Sequence, residues 1–292
     1  MATRMLDDLI LPSRANQIWQ YSGMDCLERC IDRKHFKKYP YSVEYRYNTR
    51  GFRDNEWPDD LCELKQAIWC IGDSFTVGVG QPFDHIWPQI LQKETQCRTI
   101  NIAMDGASNN WISRRALDIV RTINPQHLVI MWSYVERREL TRQQAMQKRW
   151  QAIYNEIRDS SWPDIHSLED IEMLPQDILT EIKITHGINL PLSCHDDDLL
   201  IHQDTESSDE EHYNNWQNCV DQMLPFANIV HCVIPDFVFN TKSNQKFWHY
   251  LAARTDKCLP PINRIDWARD GHHFDILTAR QIVAHLLPFL TP

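Results

Sequence analysis

The stretch that most restricts the fold runs from Ala67 to Gly78 and reads AIWCIGDSFTVG. An apolar run that stops abruptly at Gly72-Asp73-Ser74 is how a buried strand delivers a serine to the edge of a sheet. Near the other end of the chain, Asp270-Gly-His-His273 sets a carboxylate and an imidazole three residues apart, just before a helix-like segment. A serine, a histidine and an aspartate are the parts of a nucleophilic hydrolase. Lying far apart in the chain, they can meet only if the residues between them fold into one sheet-based domain.

The intervening pattern alternates as an α/β domain does. Strands are expected near 67–72, 98–103, 128–132 and 228–234, and helices over 82–95, 109–123, 139–158, 213–225 and 276–289. Pro82 suits the first turn of its helix. Parallel strands joined by helices put their functional loops at the carboxyl ends of the strands. Ser74, Gly106 and the run Trp132-Ser133-Tyr134 all follow strand ends, so they are expected on one edge. Residues 1–60, rich in aromatic and basic side chains, are expected to wrap the main domain as short helices and extended pieces. Residues 61–292 form that domain, with an insertion at about 159–212 that holds short helices around 167–185 and an acidic run.

In order and spacing, Gly72-Asp73-Ser74 after a strand, Gly106 in the next strand-to-helix loop and a terminal Asp-x-x-His resemble the SGNH/GDSL hydrolase superfamily. The likeness covers about residues 48–135 and 262–290. It implies a three-layer α/β/α sandwich, flavodoxin-like, on a parallel sheet of about five strands. It implies Ser74 as nucleophile, His273 as base and Asp270 as the carboxylate orienting the ring, with the backbone N–H groups of Ser74 and Gly106 as oxyanion donors. The superfamily's third donor is an asparagine in a Gly-x-Asn-Asp block. This sequence departs there, reading Trp132-Ser-Tyr-Val-Glu-Arg-Arg-Glu139. Asn109 or Asn110 could fill the role, with Ser133, Tyr134 and Arg137 as further options. The lead-in Asn48-Thr-Arg-Gly-Phe-Arg53 is similar to one in members acting on acylated polysaccharides, so Asn48, Arg50 and Arg53 are candidates either to bind substrate or to brace the active-site edge. Tyr134 and Arg137, after the third strand, are further candidate substrate-binding residues. The resemblance implies an esterase, or an acyltransferase sharing its first half-reaction, that takes a small-molecule or carbohydrate ester and needs no cofactor.

Each assignment has a plainer competitor. Ser74 before a helix is what N-capping also requires. His272 competes with His273, since adjacent histidines point in different directions; the superfamily's spacing selects His273. Asp73 is expected to bond loop amides. Trp111, Trp132 and Trp267 could line a carbohydrate or acyl pocket, yet most of the 11 tryptophans belong in a core. A metal-dependent hydrolase built on Asp270, His272 and His273 lacks a matching ligand cluster elsewhere, so no metal is expected. A binding or structural module on the same scaffold, such as a virion or surface component, is the alternative from another class.

Composition narrows the setting. The formal charge is −10, and between His195 and His212 there are eight acids with no Lys or Arg, the signature of a solvated loop. An acidic chain without a basic stripe argues against nucleic acid as a partner. No stretch is long and apolar enough for a membrane helix. The start, Met1-Ala-Thr-Arg-Met-Leu-Asp-Asp8, carries acids where a signal peptide has an apolar core, so a cytoplasmic protein is expected. The 9 cysteines form an odd set without a framework spacing and are expected as reduced thiols, Cys70 and Cys232 among them inside core strands.

Overall fold

A computed structural model of the chain describes residues 9–141, 199–203, 208–236 and 242–290. The chain divides into two compact units, one of Met1–Arg138 with Gln203–Pro292 and one of Glu139–His202. The strands are β1 (Ile18–Trp19), β2 (Tyr45–Arg46), β3 (Ile68–Ile71), β4 (Thr99–Asn101), β5 (His127–Trp132), β6 (Arg137–Thr141), β7 (Leu199–Gln203) and β8 (Ile229–Val233). The helices are α1 (Arg33–Lys38), α2 (Leu61–Gln66), α3 (Ser74–Val77), α4 (Trp87–Thr95), α5 (Asn109–Thr122), α6 (Asp209–Asp221), α7 (Lys242–Ala252) and α8 (Ile276–Leu290).

Four strands form the central parallel sheet in the order β4-β3-β5-β8. Trp69 of β3 lies opposite Ile100 on one side and Leu128 on the other. Every residue of β3, β4 and β8 is buried, as expected for a parallel sheet covered on both faces. From β3 the chain first steps to one side, to β4, and then back across to β5. Because such crossovers are right-handed, this reversal places successive helices on opposite faces. Accordingly α4 packs with α8, while α5 packs with α6, which also meets α7. Residues Ile112, Ala116, Ile119 and Val120 give α5 one buried stripe at helical spacing. The result is an α/β/α arrangement in the doubly wound order, with its switch point beside the carboxyl end of β3.

The fifth strand is reduced to a single parallel bridge, His231 with Cys258. His231 N–H donates to Lys257 O, and Leu259 N–H donates to His231 O, both at 2.8 Å. Pro260 and Pro261 follow at once, and proline has no N–H with which to extend a ladder.

Three further expectations change. The helix expected over 82–95 is a 3-10 turn, Phe83–His85, followed by α4. Pro88 deep inside a longer helix would lack a donor and clash with the preceding turn, so the helix restarts and holds Pro88 in its own first turn. The helix expected over 213–225 begins at Asp209, so Asp209, Glu210 and Glu211 form its first turn and not a solvated loop. Negative charge is stabilised there by the helix dipole, and Ser208 and Glu211 complete a capping box. Finally, residues 139–141, expected helical, belong to β6, which pairs with β7 in a two-stranded sheet. Residues 142–158, the short helices around 167–185 and most of the acidic run lie outside the described residues.

The N-terminal residues pack as short pieces. The β1–β2 ribbon is antiparallel, and Val43, Tyr45 and Tyr47 form a small core with Trp19 and Tyr39. No described helix is long and apolar enough to cross a membrane.

Candidate active site

The serine is presented by the turn that ends β3. Gly72 has to be glycine, because a Cβ there would stand 3.0 Å from Met131 O and crowd Thr76. Asp73 is the N-cap of α3, its Oδ1 accepting from Phe75 N–H at 3.0 Å. Ser74 therefore does not cap the helix. It is the first helical residue, with its hydroxyl left for another partner.

That partner is His273. Its Nε2 lies 2.8 Å from Ser74 Oγ, across 199 positions of sequence. Its Nδ1 lies 2.6 Å from Asp270 Oδ2. All three side chains are buried. Burial pushes the Asp270 carboxyl up, but the His273 ring and the N–H groups of His272 and His273 outweigh it and hold the carboxyl below its ordinary value. An ionised carboxylate only accepts, so Nδ1 carries the ring proton and Nε2 of the neutral ring is left to accept from Ser74. The geometry thus fixes the tautomer a general base requires. His272 has no such pairing. It sits edge-on to His273 at 4.9 Å, and burial, together with repulsion between the two rings were both to be protonated, lowers its pKa to about 4.

The loop bearing Asp270 and His273 is braced from several sides. Gly80 O accepts from Arg269 N–H at 2.9 Å. Arg269 forms a fork with Asp25, at 2.8 and 2.6 Å, and Asp25 also accepts from Tyr45 OH at 2.6 Å. Asp270 O accepts from Ile31 N–H at 3.3 Å, and His35 Nε2 meets Ala268 O at 2.8 Å. Arg264 pairs with Asp236 at 3.0 Å and donates to His272 O. The N-terminal pieces are thus bonded to the segment that orients the histidine.

Asp73 does more than bond loop amides. Its Oδ2 accepts from Ser133 Oγ at 2.6 Å and from Arg137 Nη1 at 2.7 Å, joining the serine loop to the end of β5.

Several expected site residues take other roles. Arg53, expected at the substrate, is 1% exposed and donates to the carbonyls of Glu44, Val77, Gly78 and Gln81 at 2.5–3.2 Å. Its guanidinium, over the Tyr45 ring at 4.4 Å, clamps the turn that follows the serine. Asn109, the expected third oxyanion donor, spends both amide protons on Ser133 O and Tyr134 O, at 3.1 and 3.2 Å. Its oxygen accepts from Ser133 N–H at 2.8 Å, so the side chain braces the loop after β5. Asn110 exchanges two bonds with Asn215. Tyr134 is half-buried with its ring 6.2 Å from Phe75 and 4.9 Å from the Arg137 guanidinium, and burial raises its phenol to about 12. Asn48 builds its own turn, accepting from Arg50 and Phe52 N–H, both at 3.0 Å. Trp111 and Trp132 are core residues, whereas Trp267 is exposed and stacks on Arg264 at 3.8 Å.

Gly106, the other expected oxyanion donor, lies in the turn after β4. It adopts φ 78°, and its N–H, like that of Ser74, donates no hydrogen bond among the described residues. An N–H at the first turn of a helix has no partner within the helix and is open to an incoming acceptor. Among the described residues no three His, Cys, Asp or Glu side chains are grouped so as to hold a metal ion.

No family model and no curated protein sequence matches the chain. Among solved structures it is similar to TesA, with TM-score 0.42, 11% identity and coverage of 78% of this chain and 99% of that one. It is also similar to a GDSL-like lipase from Parabacteroides merdae ATCC 43184, with TM-score 0.39, 12% identity and coverage of 77% and 95%. Likenesses this weak carry no weight beside the strand order and the bonds described above.

Proposed function

We propose that the chain is a serine esterase of SGNH/GDSL type, acting through an acyl-enzyme on Ser74. The observation that carries the reading is the continuous bond path Ser74 Oγ–His273–Asp270, at 2.8 and 2.6 Å. His273 Nε2 takes the hydroxyl proton as Oγ attacks the ester carbonyl, while Asp270 stabilises the imidazolium that forms. Negative charge developing on the carbonyl oxygen is received by the N–H groups of Ser74 and Gly106. Collapse of the intermediate breaks the bond to the alkoxide oxygen, which leaves with the proton from His273. Water, deprotonated by the same ring, then releases the acid; a second alcohol in its place would give acyl transfer.

We assign a short acyl ester as substrate, with acetyl groups on a polysaccharide as the finer expectation. Support for the polysaccharide is the resemblance of the Asn48–Arg53 lead-in, in which Asn48 holds its own turn and Arg53 the carbonyls of the turn after the serine. Hydrolysis of p-nitrophenyl acetate by wild type, with kcat lowered by about 10⁴ or more in Ser74→Ala and His273→Ala, is the expected result. A folded wild type no faster than its Ser74→Ala variant would favour the binding-module alternative.

A further inference from the structure

We propose that Arg137 is a positioning residue that holds the Ser74 and Gly106 amides at the separation an oxyanion needs, an inference that rests on the hydrolase reading. The two N–H groups of a single nitrogen, Nη1, face acceptors from three loops: Asp73 Oδ2 at 2.7 Å, Ser133 Oγ at 2.9 Å and, through a shared and weaker bond, Ala107 O at 3.4 Å. Asp73 immediately precedes Ser74, and Ala107 immediately follows Gly106. Each anchor is therefore one residue away from an amide without a partner.

The Gly106 turn needs such a hold. No atom lies within 4 Å of where a Cβ would stand on Gly106, so packing does not fix the turn from that side. The two loops are otherwise linked by Met104 N–H to Gly72 O, at 3.1 Å, on the strand side of the turn. Side chains that could act in place of Arg137 are already committed. Asn109 has spent its amide on the loop after β5, and Ser133 gives its hydroxyl proton to Asp73. Arg137 itself is restrained by the Tyr134 ring beneath it, and the buried Asp73 carboxylate matches its charge. A planar guanidinium suits the task because its donors are fixed in direction, whereas an ammonium on a flexible stem is a point charge.

Arg137→Lys separates charge from geometry, since it leaves a cation for Asp73 but no guanidinium to span the loops. The expected result is a kcat lowered about 100-fold, the loss that a misplacement of about 1 Å produces, with KM within about threefold. The melting temperature and the pH profile should stay close to wild type. The rate of fluorophosphonate labelling should fall by the same factor as kcat, with labelling still reaching completion at Ser74. Tyr134→Phe, which keeps the ring beneath the guanidinium, should retain activity within about threefold.

The inference is overturned if Arg137→Lys labels and turns over at the wild-type rate, or if its loss only tracks a lower melting temperature. It is also overturned if Tyr134→Phe reproduces the loss, which would make the phenol the group that matters. Wild-type protein that takes no label would remove the hydrolase reading and this inference with it. Labelled wild type with an equally reactive Arg137→Lys would remove the inference alone.

Discussion

Replacing Asp270 by asparagine reverses the histidine without emptying the site. Asp270 Oδ1 accepts from His272 and His273 N–H at 2.9 and 3.0 Å, so in Asp270→Asn those two donors hold the amide oxygen in that position. The amide nitrogen then takes the place of Oδ2, 2.6 Å from His273 Nδ1, where it can only donate. The ring answers by moving its proton to Nε2, which faces Ser74 as a donor and can no longer take the hydroxyl proton. The expected fall in kcat is about 10⁴, or about 5 kcal/mol of transition-state stabilisation, by analogy with the same change in another serine hydrolase. The substitution is isosteric and keeps both backbone bonds, so the thermal melt should barely move. Steady-state hydrolysis of p-nitrophenyl acetate, alongside the melt, reads both quantities. A natively folded Asp270→Asn enzyme that keeps more than about a tenth of wild-type kcat would refute the reasoning.

Other consequences are independent of the chemistry. Arg53→Met strands three carbonyls in the turn after the serine, and that of Glu44 beside β2. It should cost about 3–5 kcal/mol, a melt lowered by roughly 10 °C, with KM of the residual activity unchanged; a KM effect without destabilisation would return Arg53 to the substrate. His231, buried with its Nδ1 accepting from Trp132 Nε1–H at 3.2 Å, is held near pKa about 4 by desolvation. The unfolded chain takes up that proton at about 6.5, so the stability His231 contributes is whole above that pH and is lost as pH falls toward 4, by up to about 3 kcal/mol. Urea midpoints of wild type against His231→Gln should show this part of the acid slope removed in the variant; parallel slopes would contradict it. Ser208→Ala opens the capping box of α6 and should cost about 1 kcal/mol in the same titration, whereas no cost would restore the view of that segment as a solvated loop.

How much of this was legible depends on how local each signal is. The strand ending at Ser74 could be read because an unbroken apolar run meeting Gly-Asp-Ser is a local pattern, and Asp270 and His273 because they share one turn. The start of α6 was equally available, since Ser208-x-x-Glu211 is a capping box in plain sequence, but the surrounding acids outweighed it. So was α7, whose Phe247 and Leu251 are buried at i, i+4 spacing. The roles of Arg53 and Asn109 were hidden for another reason. Arg53 bonds carbonyls 24 to 28 positions away, and Asn109 bonds a loop 24 to 25 positions away. A polar side chain gives no sign in sequence of whether backbone or substrate will satisfy it. The single-bridge fifth strand could have been expected from Pro260 and Pro261, which forbid a longer one.

The central claim, an activated Ser74, is tested most directly by the intact mass of the protein after incubation with a fluorophosphonate. The account predicts one adduct, located at Ser74 by peptide mapping, absent from Ser74→Ala and formed far more slowly in His273→Ala. A folded wild type that stays unmodified, or an adduct that persists in Ser74→Ala, would contradict it.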